Sequence, residues 1–166
     1  VARDRIFVTT KVWWENIGAG ALEGSAESSL KKLQLDQVDL LLIHWPNAQV
    51  PLKESIAALC DTKRRGMAKH IGISNFTTPM IAEALKLTTE PIVCNQVEYH
   101  AYLDQTKVLA AARRLGLATV AYSPIAKGRV KDDLTLARIG ELYRKTAAQV
   151  SLRWLVQQNC AAIPRT

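Results

Sequence analysis

Val38-Asp39-Leu40-Leu41-Leu42-Ile43-His44-Trp45-Pro46 is the stretch on which the reading of the fold turns. Leu40–Ile43 is an unbroken apolar run of the kind a parallel strand needs when both of its faces are covered. His44 ends that run with a polar, chemically capable side chain. The same punctuation recurs along the chain. Lys11 follows Phe7-Val8-Thr9-Thr10, and Ser74-Asn75 follow Ile71-Gly72-Ile73. Gln96 ends Ile92-Val93-Cys94-Asn95, Tyr122-Ser123 close Ala118-Thr119-Val120-Ala121, and Arg165 follows Ala161-Ala162-Ile163-Pro164. In parallel α/β folds the C-terminal ends of the strands are where ligands bind and chemistry occurs. Six such ends predict one composite site assembled from distant parts of the chain.

Helical patterns separate these runs. Leu22, Ala26, Leu30 and Leu33 form one stripe, and Leu52, Ile56, Leu59 and Cys60 form another that stops at Gly66, placed for a left-handed cap. Thr78-Pro79 predicts a capping residue followed by proline in the first turn. A helix starting at Asp104 and stopping at Gly116 carries Val108, Ala111 and Leu115. Two more follow, one near Leu134–Arg144 and one opened by the capping box Thr146-Ala147-Ala148-Gln149. Alternating β and α elements joined by short turns predict an α/β fold with a parallel sheet, as a single domain over residues 1–166. No G-x-G-x-x-G turn follows the first strand, which favours a (β/α)8 TIM barrel over an open dinucleotide-binding sheet. A closed barrel uses eight strands and roughly 250 residues, and about six strands are legible here.

Composition narrows the classes. The 166 residues carry a net charge of +7 and three cysteines. The cysteines, Cys60, Cys94 and Cys160, are too scattered for a disulfide framework or a metal site, so they are expected as packing residues in a cytoplasmic protein without a metal. Lys31-Lys32, Lys63-Arg64-Arg65, Arg113-Arg114 and Arg144-Lys145 fall in the last turns of predicted helices, where cations complement the helix dipole. Basic residues interleaved with aromatics are absent, so nucleic acid is not an expected partner. No segment approaches the roughly 18 apolar residues of a membrane span. The opening Val1-Ala2-Arg3-Asp4-Arg5 does not read as a secretory leader. The positive balance favours an anionic cofactor.

Taken together and in order, these motifs resemble those of the aldo-keto reductases, with strands three to eight of the barrel represented. Phe7-Val8-Thr9-Thr10-Lys11-Val12-Trp13 resembles the third-strand motif and Val38–Pro46 the fourth. Ile71-Gly72-Ile73-Ser74-Asn75-Phe76 and Asn95-Gln96-Val97-Glu98-Tyr99-His100 resemble the fifth and sixth. Ala121-Tyr122-Ser123-Pro124 and Ile163-Pro164-Arg165-Thr166 resemble the seventh and eighth.

The resemblance implies reduction of aldehyde or ketone carbonyls by hydride transfer from NADPH. It implies catalytic roles for Lys11, which would lower the pKa of a tyrosine proton donor, and for His44, which would orient the substrate carbonyl. Trp13 and Trp45 are implied as walls of the substrate pocket. Ser74, Asn75 and Gln96 would satisfy the nicotinamide carboxamide, and Tyr122 would stack on its ring. Ser123 would contact the pyrophosphate with help from Lys127, and Arg165 would take the 2′-phosphate that distinguishes NADP(H). Asp39, His70 and His100 are read as structural. The family's catalytic aspartate and tyrosine belong to a second-strand motif that no stretch here matches, and Tyr99, Tyr102, Tyr122 and Tyr143 do not stand in such a context. The chain is therefore expected to be incomplete at both ends and inactive alone. The expected partner is a small carbonyl compound, with a monomer or weak oligomer as the assembly. The alternative is a non-catalytic NADP-binding regulatory or structural protein of the same fold.

Overall fold

The structure is a computed structural model that describes residues 1–165. Six strands and six α-helices form among the described residues, and the chain divides into two compact units, residues 1–95 and 96–166.

In the first unit, β1 (Thr9–Val12), β2 (Val38–Ile43) and β3 (Ala68–Ser74) pair in parallel in that order. The crossovers are α1 (Ala21–Leu33) and α2 (Leu52–Arg64); α3 (Thr78–Leu87) follows β3. Every residue of β2 is buried, as its apolar run requires. Val12, Ile43 and Ile73 stand level across the three strands and are all fully buried. Leu22, Ile56, Leu59 and Ile81 supply the inner faces of the three helices. Gly66 takes a φ of +75° just past α2, the left-handed stop read from the sequence.

Several boundaries differ from the reading above. β1 begins at Thr9 rather than Phe7, because Val8 N–H donates to the Asp39 carboxylate (2.8 Å) instead of to the ladder. Lys11 therefore lies inside β1, one residue before its end. Thr78 is the first helical residue of α3, with Thr77 at its N-cap and no side-chain capping bond. Asp39 lies within β2 rather than ahead of it and is buried, with Arg3 and Lys69 on its two carboxylate oxygens at 2.7 and 2.8 Å. The hydrogen bonds from Lys69 and the Val8 backbone hold that carboxyl far below its usual range.

The strand β4 (Ile92–Glu98) carries the division between the units. Gln96 is inside it, two residues short of the end. The second unit continues with α4 (Thr106–Arg114), β5 (Ala118–Tyr122), α5 (Leu134–Tyr143), α6 (Ala147–Gln157) and β6 (Cys160–Ile163). β5 and β6 are parallel, with Tyr122 opposite Ile163. Asp104 does not begin α4. Its carboxylate accepts from Thr106 N–H at 2.8 Å and so caps the helix from two residues outside. Thr146 and Gln149 form the capping box of α6 with bonds of 3.2 and 2.9 Å. Arg144 is the left-handed cap of α5 rather than part of its last turn. The core of this unit gathers Val97, Tyr99, Leu109, Ala121, Leu155 and Cys160.

All three cysteines are buried and unbridged, and burial pushes the Cys94 thiol up to about 12. Cys94 also explains Gly72. A Cβ there would lie 2.6 Å from Leu42 Cδ2 and 2.8 Å from Cys94 Sγ. Gly72→Ala is expected to destabilise the chain by about 1–3 kcal/mol through overpacking. The check is urea unfolding, which should give a lower midpoint with unchanged slope. An equal or higher midpoint would show that the core yields at this point.

Candidate active site

Strand alternation determines which side chains can cooperate. Residues two apart point to the same face, so Lys11 and Trp13 share one face of the first unit. Leu42 and His44 follow the same rule, and so do Gly72 and Ser74. The register sets Lys11 opposite Leu42 and Leu42 opposite Gly72. His44, Ser74 and Trp13 are then the next residues on that face, one step beyond the buried row of Val12, Ile43 and Ile73. Leu42 and Cys94 fill the space over Gly72 beneath Ser74, and Ser74 is itself fully buried.

The electrostatics agree with this placement. Burial makes the Lys11 ammonium easier to deprotonate than an ordinary lysine. His44 is also held below its ordinary value, first by burial and then by the positive charge of Lys11. The imidazole is thus neutral near pH 7 and able to donate one hydrogen bond while accepting another. Trp13 presents to His44 an edge contact of 5.2 Å between ring centroids at 73°. Trp13 and Trp45 are both more than two-fifths exposed, at 47% and 42%. A large apolar ring left in solvent beside a half-buried histidine suits a surface that receives a ligand.

Asn75 holds the turn beyond β3 in a left-handed conformation, with φ of +63°. Its amide donates to the His44 carbonyl at 2.9 Å and to Ser74 Oγ at 3.1 Å. The loops after β2 and β3 are thereby joined. The sequence reading missed Asn95, which locks the same turn from β4. Its amide donates to the Phe76 carbonyl at 3.0 Å and its oxygen accepts from Phe76 N–H at 3.4 Å. Only its place beside Gln96 in the sixth-strand motif pointed to it.

In the second unit, Gln96 is buried in β4. Tyr122 ends β5, and its carbonyl accepts from Tyr99 N–H at 3.3 Å. Burial, followed by the nearby Glu98 carboxylate, pushes the Tyr122 phenol up, which suits a platform better than an acid. Ser123 follows with φ of +48°. Arg165 is exposed two residues past β6. His100 is buried, and its Nδ1 accepts from Tyr102 N–H at 3.3 Å. A groove of about 680 Å³ on the α5–α6 face is lined by Ile139, Tyr143, Val150 and Arg153, and by none of the expected site residues.

Among the described residues no group of three or more His, Cys, Asp or Glu is placed to hold a metal ion. No helix among the described residues is long and apolar enough to cross a membrane. Within each unit the side chains are of kinds that suit parts of a nicotinamide dinucleotide. Ser74 and Asn75 in the first offer mixed donors and acceptors of the kind a carboxamide needs, and in the second Gln96 offers the same, Tyr122 a ring and Arg165 a planar cationic fork.

A parallel α/β fold whose strand ends carry this set defines a class. The chain belongs to the aldo/keto reductase family, whose model matches residues 1–166. It is 40% identical to methylglyoxal reductase DkgB of Escherichia coli O157:H7 over 99% of its own length and 62% of that protein's. It is also similar to a crystal structure carrying the provisional name 2,5-diketo-D-gluconic acid reductase B, at 50% identity and a TM-score of 0.97, covering 100% of this chain and 59% of that one. A third likeness is to an aldo-keto reductase of Bombyx mori in complex with NADP, at 33% identity and a TM-score of 0.91, covering 100% and 60%. The chain thus spans about three fifths of the relatives it matches, and its fold class is that of the (β/α)8 reductase barrels.

The coupling of Lys11 to His44 has a direct readout. In an NMR titration His44 is expected to titrate below the ordinary histidine value of about 6.5, and Lys11→Met should move it upward. Because the folded value is depressed, its contribution to stability is present above that ordinary value and is lost as pH falls. A His44 that titrates normally, or that ignores Lys11→Met, would contradict this electrostatic picture.

Proposed function

We propose that this chain is the greater part of an NADPH-dependent reductase that converts aldehyde or ketone carbonyls to alcohols. The observation that carries the reading is the pairing of a half-buried Lys11 with a neutral His44 on one strand face, beside the exposed Trp13. Bound NADPH would supply the hydride.

Every other part of the chemistry falls to side chains. The carbonyl oxygen needs a proton, and a tyrosine with an ordinary pKa near 10 donates and recovers one poorly at neutral pH. The Lys11 ammonium stabilises the phenolate of such a donor and so lowers its pKa. In the family that tyrosine, with an aspartate, comes from a second-strand motif that is not matched here, so residues 1–166 alone are proposed to be inactive. Neutral His44 donates to the carbonyl oxygen and orients it. Trp13 and Trp45 form the apolar wall against which a small carbonyl compound packs. Ser74, Asn75 and Gln96 hold the carboxamide, and Tyr122 stacks on the nicotinamide and fixes the face it presents. Ser123 and Lys127 take the pyrophosphate, and Arg165 takes the 2′-phosphate. The names of the relatives support small carbonyl compounds as the substrate class, and the Bombyx mori complex supports NADP as the cofactor. The three buried free cysteines are in keeping with a cytoplasmic protein.

Two variants test the assignment in the open reading frame that contains this chain. Lys11→Met is expected to lower kcat for methylglyoxal reduction by about 10²–10⁴-fold, with NADPH affinity changed by less than a factor of about three. Arg165→Ala is expected to weaken NADPH by about tenfold or more and leave NADH unchanged, since one charge-assisted contact is lost. Unchanged turnover in Lys11→Met would remove the catalytic assignment. Tight NADPH binding by the unaltered protein with no turnover of any carbonyl compound would favour a non-catalytic dinucleotide-binding protein instead.

A further inference from the structure

Resting on the reading of Ser123 and Lys127 as pyrophosphate contacts, one further assignment comes from what holds their segment in shape. Residues 123–133 follow β5 and contain an unusual density of left-handed backbone. Ser123, Ala126 and Lys127 have φ of +48°, +48° and +54°, and Gly128 has +94°. Three of these four are not glycine, and conformations of this kind persist only where the surroundings enforce them. The Ala126 and Gly128 N–H groups close two tight turns onto the Ser123 and Ile125 carbonyls at 2.8 and 2.9 Å. A strained segment that must meet a diphosphate needs external bracing.

Part of the bracing is internal to the fold. Ser151 Oγ of α6 donates to the Pro124 carbonyl at 3.1 Å, and Ala126 and Val130 are buried. The distal half is held differently, by one residue of the loop after β4. The Tyr102 hydroxyl donates to Asp133 Oδ2 at 2.8 Å, while the Arg129 guanidinium lies over the face of the same ring, 4.9 Å from its centroid. Tyr102 therefore grips the segment at two points four residues apart. The other oxygen of Asp133 accepts from Leu136 N–H at 2.9 Å and caps α5, so the carboxylate is fixed from both sides. Tyr102 is itself seated by His100, whose buried ring is 6.0 Å away and whose Nδ1 accepts its N–H. The bonds from Leu136 and then Tyr102 hold the Asp133 carboxyl below its usual range, keeping it an anion for this contact.

We propose that Tyr102, with Asp133 and Arg129, is a positioning element of the dinucleotide site: it clasps segment 123–133 in the conformation that receives the pyrophosphate. None of the three needs to touch the cofactor. Losing the clasp should weaken NADPH and NADH by the same factor, because the pyrophosphate is common to both and the 2′-phosphate contact belongs to Arg165.

The experiment combines hydrogen–deuterium exchange of the chain without cofactor with fluorescence titrations of NADPH and NADH. In Tyr102→Phe, amide exchange across residues 123–133 should rise by about tenfold, and both cofactors should weaken equally, by about fivefold to tenfold, the scale of one hydrogen bond. Asp133→Asn keeps one oxygen for the Leu136 N–H cap but turns an NH2 donor toward the Tyr102 hydroxyl, so exchange and both affinities should shift in the same direction as in Tyr102→Phe and by no more than they do there. Unchanged exchange in Tyr102→Phe would overturn the clasp. Faster exchange with both affinities intact would overturn its positioning role and leave the NADPH reading standing. Faster exchange in a chain that binds neither dinucleotide even when unaltered would overturn the cofactor reading, and the positioning role with it.

Discussion

Parallel pairing in register is the constraint on which the site depends. In the first unit Val12, Ile43 and Ile73 form one buried row across three strands; β1 and β2 end on that row and β3 ends one residue later. Because strand side chains alternate, a single level row decides that Lys11 and His44 share a face and that Ser74 joins them. A slip of one residue in β2 would turn His44 away from Lys11 and drive Leu41 and Ile43 into the spaces shaped for Leu40 and Leu42. Both faces of β2 are buried, so the cost of repacking them is what keeps the polar residues in place.

The two ends of these strands have different duties. At the start of β2, Asp39 ties Arg3, Lys69 and the Val8 backbone together, an ion-pair cluster that fixes where β1 begins and therefore its register. At the other end, groups of the same general kind are held in less satisfied states. Lys11 is half-buried and easier to deprotonate than an ordinary lysine, and His44 is pressed toward neutrality by burial and by its neighbour. Fully paired charges at one end and desolvated titratable groups at the other is the distribution expected of a fold whose active sites lie past the C-terminal strand ends.

The strand ends were legible in the sequence because each requirement there is local. An apolar run needs a polar stop, and Leu40–Ile43 before His44 displays both in five residues. Gly66, Gly116 and the Thr146–Gln149 capping box were legible for the same reason. The departures arise where a distant partner overrides a local pattern. Phe7-Val8 looks like strand but yields Val8 to the Asp39 carboxylate, and Gln96 looks like a strand end although β4 runs on to Glu98. Asn95 and Tyr102 went unread because neither has a spacing signature. Asn95 acts on a turn nineteen residues away, and Tyr102 acts on an aspartate thirty-one residues away.

The proposed binding of a dinucleotide at the C-terminal strand ends is tested most directly by mapping NADP⁺ onto the protein with backbone amide chemical shifts. The account expects the largest shifts at Ser74, Asn75, Gln96, Tyr122, Ser123 and Arg165, with Asp39 and His70 at the opposite strand ends unmoved. Shifts confined to Asp39, His70 and their neighbours, or no saturable shifts at all, would contradict it.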